Sequence, residues 1–360
     1  MSHAVTAIDT LWYTRCPVPT ASSVAIQQGW LEAEFAKDGI AYRSLASSSD
    51  RAVRESHFDH NQENSFRQGG NAPPIWARSA GRDTVVLGLT WLPQYQRLLA
   101  LPGTGIEKPE DLKGKRLALP VRVHDKIDFW RASALQGYLQ VLASVGLTAD
   151  DVTFVELPIH STYIAKEGSS SSGSLFDVKR SAGSASAELF ALIRGEVDAV
   201  YQYGAGGPFL EAFLGAHVVF DINRAADQRL AINNGTPNLL TCSAGLVRSR
   251  PDLVIRYLVQ VLRAAAWAAS HRAETQAIIA NEVSVALDWV PEAFDTDRLF
   301  TNLWPSFRKE LVEALVVRKD FMRDHGFLQH DFDVEAWLRP DLLEEASAVY
   351  QRRNALGEFA

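Results

Sequence analysis

Apolar positions along the chain alternate between short dense runs and longer stretches in which they recur at helical spacing. Leu11, Trp12 and Tyr13 give Asp9 to Tyr13 the composition of a strand. The CPVP that follows lacks backbone donors at Pro17 and Pro19 and favours an extended entry, so Cys16 is expected just past the strand end. Thr20, Ser22 or Ser23 can cap the next segment, where Val24, Ile26, Gln27, Trp30, Leu31 and Phe35 form a helical stripe ending at Lys37-Asp38-Gly39. Ile40 to Leu45 reads as a second strand. This β-loop-α-β order opens an α/β domain, in which ligands collect beyond the carboxyl ends of strands and at helix N-termini.

Val85 to Trp91 and Gln96 to Leu101 predict further strands, and Lys108 to Lys115 a helical or turn segment. A long helical pattern covers Phe129 to Val145 and is followed by the strand TFVELP. From Gly195 to Ile222 the order is strand, glycine-rich turn, helix, strand. CSAGLVRSRPDLVIRYLVQVLRAAAWAASH then predicts a strand, a Pro-Asp helix start and a long amphipathic helix. Val254, Tyr257, Leu258, Val261, Leu262 and Ala265 share one face of that helix, and a helical tail follows. GSSSSGS, Gly168 to Ser174, is too polar to pack and is expected as a surface loop.

At 360 residues the chain exceeds the size at which one core keeps growing, so two domains are expected. A hydrophobic content of 47% suffices for large cores. Net charge is -7, with Lys and Arg scattered rather than gathered in a stripe, which argues against nucleic acid as a partner. The N-terminal MSHAVTAIDTLWYTRCPVP lacks the basic and apolar regions of a secretory signal, and apolar runs are broken by Arg, Asp or Pro. No membrane span is expected, and the protein reads as soluble and cytoplasmic. Its two cysteines, Cys16 and Cys242, are then both reduced.

The chemistry concentrates in Ser56 to Pro74, SHFDHNQENSFRQGGNAPP, and in Cys16 upstream. Cys16 is either a buried inert thiol or a reactive one activated by neighbouring positive charge. His57 reads as a loop histidine, with His60 three residues on. Neither a Cys-x-x-Cys nor a His-Glu-x-x-His pattern is present, so a metal site is not expected. Arg67 precedes Gln68-Gly69-Gly70, and a guanidinium fork beside glycine N–H groups would cradle a carboxylate, sulfonate, sulfinate or phosphate. The alternative for the glycine pair is a plain turn before Pro73-Pro74.

TRCPVPTA and HFDHNQENSFRQGG resemble the aryl sulfinate desulfinases that end microbial dibenzothiophene desulfurisation, with Cys16, His57, Arg67 and Gly70 in the same order. GEVDAVY, SAGLVRSRPDLV and HGFLQHDFDVEAWLRPDLLEEA are similar to phrases of the wider solute-binding-protein superfamily. The resemblance implies an α/β, two-lobed type II periplasmic-binding-protein-like fold with two crossovers and a ligand cleft between lobes. Lobe I would comprise 1–115 and 216–360 and carry Cys16, His57 and Arg67, and lobe II would be the inserted 116–215.

The resemblance further implies a hydrolase of carbon–sulfur bonds that needs no cofactor. It would convert an aromatic sulfinate such as 2'-hydroxybiphenyl-2-sulfinate to 2-hydroxybiphenyl and sulfite. Cys16 would be the essential thiol and His57 its partner for positioning and charge. Arg67 and the Gly70 amide would hold the sulfinate oxygens, Trp130 would line the pocket and Phe58 would add an aromatic wall. The alternative is a non-catalytic solute-binding protein of an importer for sulfonates or aromatic anions; a cysteine-dependent enzyme of pyrimidine or thiamine-precursor chemistry is a third reading. VRVHDKIDF and GSSSSGSLFDV depart from the desulfinase pattern in the region that would shape the ring pocket.

Overall fold

Ten strands organise the computed structural model, which describes residues 8–162 and 186–359. In chain order they are β1 (Thr10–Arg15), β2 (Ala41–Ser44), β3 (Ser65–Gly69), β4 (Thr84–Thr90), β5 (Gln96–Ala100), β6 (Arg116–Arg122), β7 (Thr153–Ile159), β8 (Ala199–Tyr203), β9 (His217–Asp221) and β10 (Asn238–Ser243). One sheet has the order β2-β1-β3-β10-β4 and the other β7-β6-β8-β5-β9. Within the first, β1 runs parallel to β2 and β3, while β10 is antiparallel to β3 and β4. Within the second, β6 is parallel to β7 and β8, and β5 is antiparallel to β8 and β9.

Two compact units result. The first comprises the described parts of Met1–Leu92, Gly235–Val283 and Thr296–Ala360, and the second those of Pro93–Asn234 and Ser284–Asp295. One unit is thus built from both ends of the chain, but the expected boundaries at 115 and 216 are displaced. β5 is hydrogen-bonded to β8 and β9, so the chain joins the second sheet already at Pro93 and leaves it only after Asn234. A further excursion at 284–295 supplements the two expected crossovers. It is fixed by the Tyr95 amide on the Ala293 carbonyl and the Asp295 amide on the Pro93 carbonyl. An apolar strand reads the same whichever sheet receives it, so pattern alone does not place such boundaries.

Three local departures have plain causes. The helix expected from Val24 to Phe35 is two, Ala21–Gln27 and Trp30–Ala36, because Gly29 takes a left-handed φ of 72° between them. Thr20 caps the first through the Ser23 amide. The expected loop from Ser56 to Pro74 is regular over most of its length. It carries the end of the helix Arg51–Asp59 capped by Asp50, then β3, then the helix Ala72–Ser79. Pro73 and Pro74 fall in the first turn of that last helix, where amides lack intrahelical partners. The GSSSSGS segment lies outside the described residues.

In the first unit the helix Pro251–Ser270 is the main core element, with Leu253, Val254, Leu258, Val261 and Leu262 fully buried. By length and composition it could cross a bilayer, yet 67% of that stretch is buried inside the structure. Tyr257 on this helix stacks on Phe66 of β3 with ring centroids 3.8 Å apart. The aromatic segment near the C-terminus closes the same unit: Trp337 is buried, its indole donates to Thr84 Oγ1, and the Arg339 amide donates to the Val86 carbonyl. In the second unit Leu99, Ala118, Leu192, Val197 and Val200 form a core. Tyr138, on the helix Phe129–Ser144, accepts the Tyr201 amide at 2.7 Å.

Gly137 on that helix faces the Tyr201 ring so closely that a Cβ would stand 2.4 Å from Cε2. Gly137→Ala is therefore expected to destabilise the protein by about 1–3 kcal/mol despite alanine's better helix propensity. Denaturant unfolding tests this; an unchanged or raised midpoint would show that the ring gives way.

Candidate active site

β1 ends at Arg15 and delivers Cys16 just beyond the sheet edge, as the strand composition predicts. β3 lies parallel beside it in a register that sets Thr14 against Arg67 and Arg15 against Gln68. This pairing brings the Arg67 side chain to the thiol: Nη2 donates to Cys16 Sγ at 3.1 Å and Nη1 donates to the Gly70 carbonyl at 2.8 Å. Gln68 accepts the Ser22 amide, tying the first turn of the helix Ala21–Gln27 to the same strand.

Arg67 is only 3% exposed, and among the described residues no carboxylate pairs with it. A buried guanidinium is expected to have an anionic partner, since removing a charge from water is costly. Burial works against the charge and lowers the Arg67 pKa from its ordinary value, while the Cys16 sulfur acts in the opposite sense. A planar fork of donors in such surroundings has the chemistry to receive an oxyanion.

His57 stands in the last turn of the helix Arg51–Asp59. Its Nδ1 lies 2.5 Å from Thr14 Oγ1 and its Nε2 3.8 Å from Cys16 Sγ, at the outer limit for a hydrogen bond to sulfur. Burial first, and the Arg67 charge second, lower its pKa to about 3. The expectation that His57 supplies charge is thus corrected: the imidazole is neutral at ordinary pH, and the cation beside the sulfur is Arg67. Phe58 is buried, with its ring edge-on to His57 at 4.6 Å.

The two glycines meet the cluster in ways other than the expected N–H cradle. A Cβ on Gly69 would sit 2.3 Å from Cys16 Sγ, so only glycine lets the thiol lie against β3. Gly70 turns its carbonyl to Arg67. Trp130 belongs to the second unit, near the start of the helix Phe129–Ser144 that Asp128 caps. Its indole Nε1 donates to Glu188 Oε1 at 2.5 Å, and its ring lies 4.7 Å from that of Tyr203. Burial raises the Glu188 carboxyl to about 7, and the indole bond partly opposes this.

No family model matches the chain. It is 27% identical to 2'-hydroxybiphenyl-2-sulfinate desulfinase of Rhodococcus erythropolis over 358 residues, covering 94% of this chain and 93% of the relative. The enzyme of the same name from Rhodococcus qingshengii gives the same identity and coverage. Over 94% of its length the chain resembles a desulfinase. The crystal structure of the desulfurization enzyme DszB superposes with a TM-score of 0.73 at 26% identity, covering 95% of this chain and 99% of the other. A DszB mutant in complex with biphenyl-2-sulfinic acid gives 0.71 at 26%, covering 95% and 100%. The periplasmic aliphatic sulphonate binding protein SsuA of Escherichia coli, 15% identical with a TM-score of 0.64 over 93% of each chain, shares the fold.

Beside the desulfinase likeness, each unit by itself contains partners of the expected residues that the sequence pattern does not single out. Thr14 orients His57, Gly69 makes room for the thiol, and Glu188 holds Trp130. Only Gly69 carried a signal, as the first member of a glycine pair. Both cysteines are free, and burial pushes the Cys242 thiol well up, which leaves it inert. Among the described residues no group of three or more His, Cys, Asp or Glu side chains is placed to hold a metal ion.

The neutral His57 has a measurable consequence. Between its ordinary value of 6.5 and about 3 the unfolded chain binds a proton that the folded one does not. Stability therefore falls as pH drops through that window. His57→Gln removes this contribution, so its stability relative to the native protein is expected to improve on acidification from pH 6.5 to pH 3, as followed by urea unfolding. A difference that stays constant across the window would show that His57 titrates normally in the fold.

Proposed function

We propose that the protein is an aryl sulfinate desulfinase, with Cys16 as the reacting thiol and Arg67 as the group that holds the sulfinate. The observation that carries this is the buried, carboxylate-free Arg67 whose N–H meets Cys16 Sγ at 3.1 Å, in a chain similar to a desulfinase over 94% of its length. In the proposed hydrolysis an aromatic sulfinate such as 2'-hydroxybiphenyl-2-sulfinate and water give the arene, here 2-hydroxybiphenyl, and bisulfite. The carbon–sulfur bond breaks, the ring carbon gains a proton and sulfur gains the water oxygen. Atoms and charge balance without oxidant, reductant or metal.

Two routes meet this balance. Cys16 Sγ attacks the sulfinate sulfur, the aryl group departs with a proton, and water later cleaves the thiosulfonate-like S–S bond. Alternatively, the Cys16 S–H protonates the ring carbon, sulfur dioxide leaves, and water hydrates it. The first route requires a separate acid for the ring carbon, whereas the second needs none besides the thiol. In that route Arg67 and the Gly70 amide hold the sulfinate oxygens, and His57, oriented by Thr14, positions the thiol. Phe58, edge-on to His57, supplies apolar ring surface that excludes water. The likeness to a sulphonate-binding protein at 15% identity concerns fold alone, which leaves the receptor reading with less support.

Sulfite release from a panel of aryl sulfinates tests the proposal. Native protein is expected to turn over at least one member, Cys16→Ser to fall by about a thousandfold or more with its circular dichroism intact. No release across the panel, or undiminished release from Cys16→Ser, would refute it. Arg67→Lys, which keeps the charge but loses the planar fork, is expected to lower kcat/KM about a hundredfold; activity close to native would remove Arg67 from the oxyanion role.

A further inference from the structure

Within the first unit lies a small cavity of about 10 Å³ whose wall includes Arg67, His60, Ser65, Thr241 and Ser243. That is room for about one water molecule. Two buried polar atoms of wall residues have no hydrogen-bond partner among the described residues: Arg67 Nε and His60 Nε2. Leaving a buried donor or acceptor unmet costs about 1–3 kcal/mol each, and a fold rarely tolerates two such atoms beside one polar space.

The rest of the wall suits a water. Ser65 Oγ donates to the Gln62 carbonyl, Thr241 Oγ1 leans on the Arg67 carbonyl at 3.5 Å, and Ser243 Oγ accepts the Asn64 amide. Ser65 and Thr241 each keep a lone pair for a further donor. His60 stands at the C-terminal cap of its helix with a left-handed φ of 54°, a conformation glycine adopts at lower cost. Burial, the Arg67 charge and His57 hold its imidazole neutral, so one ring nitrogen is free to accept.

We propose that the cavity holds one ordered water, which accepts from Arg67 Nε–H, donates to His60 Nε2 and donates again to a wall hydroxyl. With Nη1 on the Gly70 carbonyl and Nη2 on Cys16 Sγ, this third anchor stops the guanidinium from turning about its stem. His60 is then a positioning residue for Arg67, acting through the water. The consequence for turnover rests on the desulfinase reading; the water itself does not.

A high-resolution crystal structure of the unliganded native protein tests the site directly. One density peak about 3 Å from both Arg67 Nε and His60 Nε2 is expected. An empty cavity overturns the proposal, and so does an anomalous peak there after a bromide soak, which would make it an anion site. Because this readout involves no catalysis, its failure is separable from failure of the proposed activity. For the positioning role, His60→Phe removes the acceptor, while His60→Asn keeps a polar group and tolerates the left-handed backbone. His60→Phe is expected to raise KM for the sulfinate about tenfold with a smaller change in kcat, and His60→Asn to recover part of that loss. Native KM in a folded His60→Phe variant would refute the positioning role.

Discussion

A guanidinium buried in the middle of a sheet, with no carboxylate beside it among the described residues, sets the conditions that the rest of the first unit meets. Such a charge is tolerated only where dipoles and an anion are brought to it. The parallel pairing of β1 with β3 brings Cys16, the turn after β3 brings the Gly70 carbonyl, and the core beneath is held by Phe66 stacked on Tyr257. Gly69 is the geometric consequence. With any side chain at that position the sulfur would be pushed off the strand and the cation would lose its neighbour.

The same charge shapes the histidine. An imidazole next to a thiol is often thought of as its base or its counter-charge, yet here burial and Arg67 keep His57 neutral. Its contacts run in series, from Thr14 Oγ1 through the ring to Cys16 Sγ, so the chain of groups orients rather than charges the sulfur. In the second unit the Trp130 indole is held by a buried carboxyl, a bond that fixes the plane of a large apolar ring. Within the first unit an oriented cation and thiol meet the positional demand of a reacting site.

The architecture is shared by proteins whose names assign them to sulphonate binding as well as to desulfurization. Fold therefore does not separate receptor from enzyme, and the burden falls on a few side chains. An arginine that holds an oxyanion serves both. What distinguishes this site is the sulfur set 3.1 Å from the guanidinium, where a receptor needs only donors.

The sequence determined most of the elements and singled out the thiol, imidazole and guanidinium that the first unit brings together. Hydrophobic periodicity fixed the strand before Cys16, the helix over Phe129–Ser144 and the long helix Pro251–Ser270, because each buries one face or a whole run of apolar residues. β3 escaped, since SFRQG carries Arg67 and Gln68 at buried positions and reads as a polar loop. Its register, and with it the meeting of Arg67 with Cys16, belongs to tertiary structure: strand pairing acts across more than fifty residues and leaves no local periodicity. The same holds for the partners of β5, for Thr14 behind His57 and for Glu188 behind Trp130. Composition says which groups are present; only packing sets their distances, their burial and hence their charge.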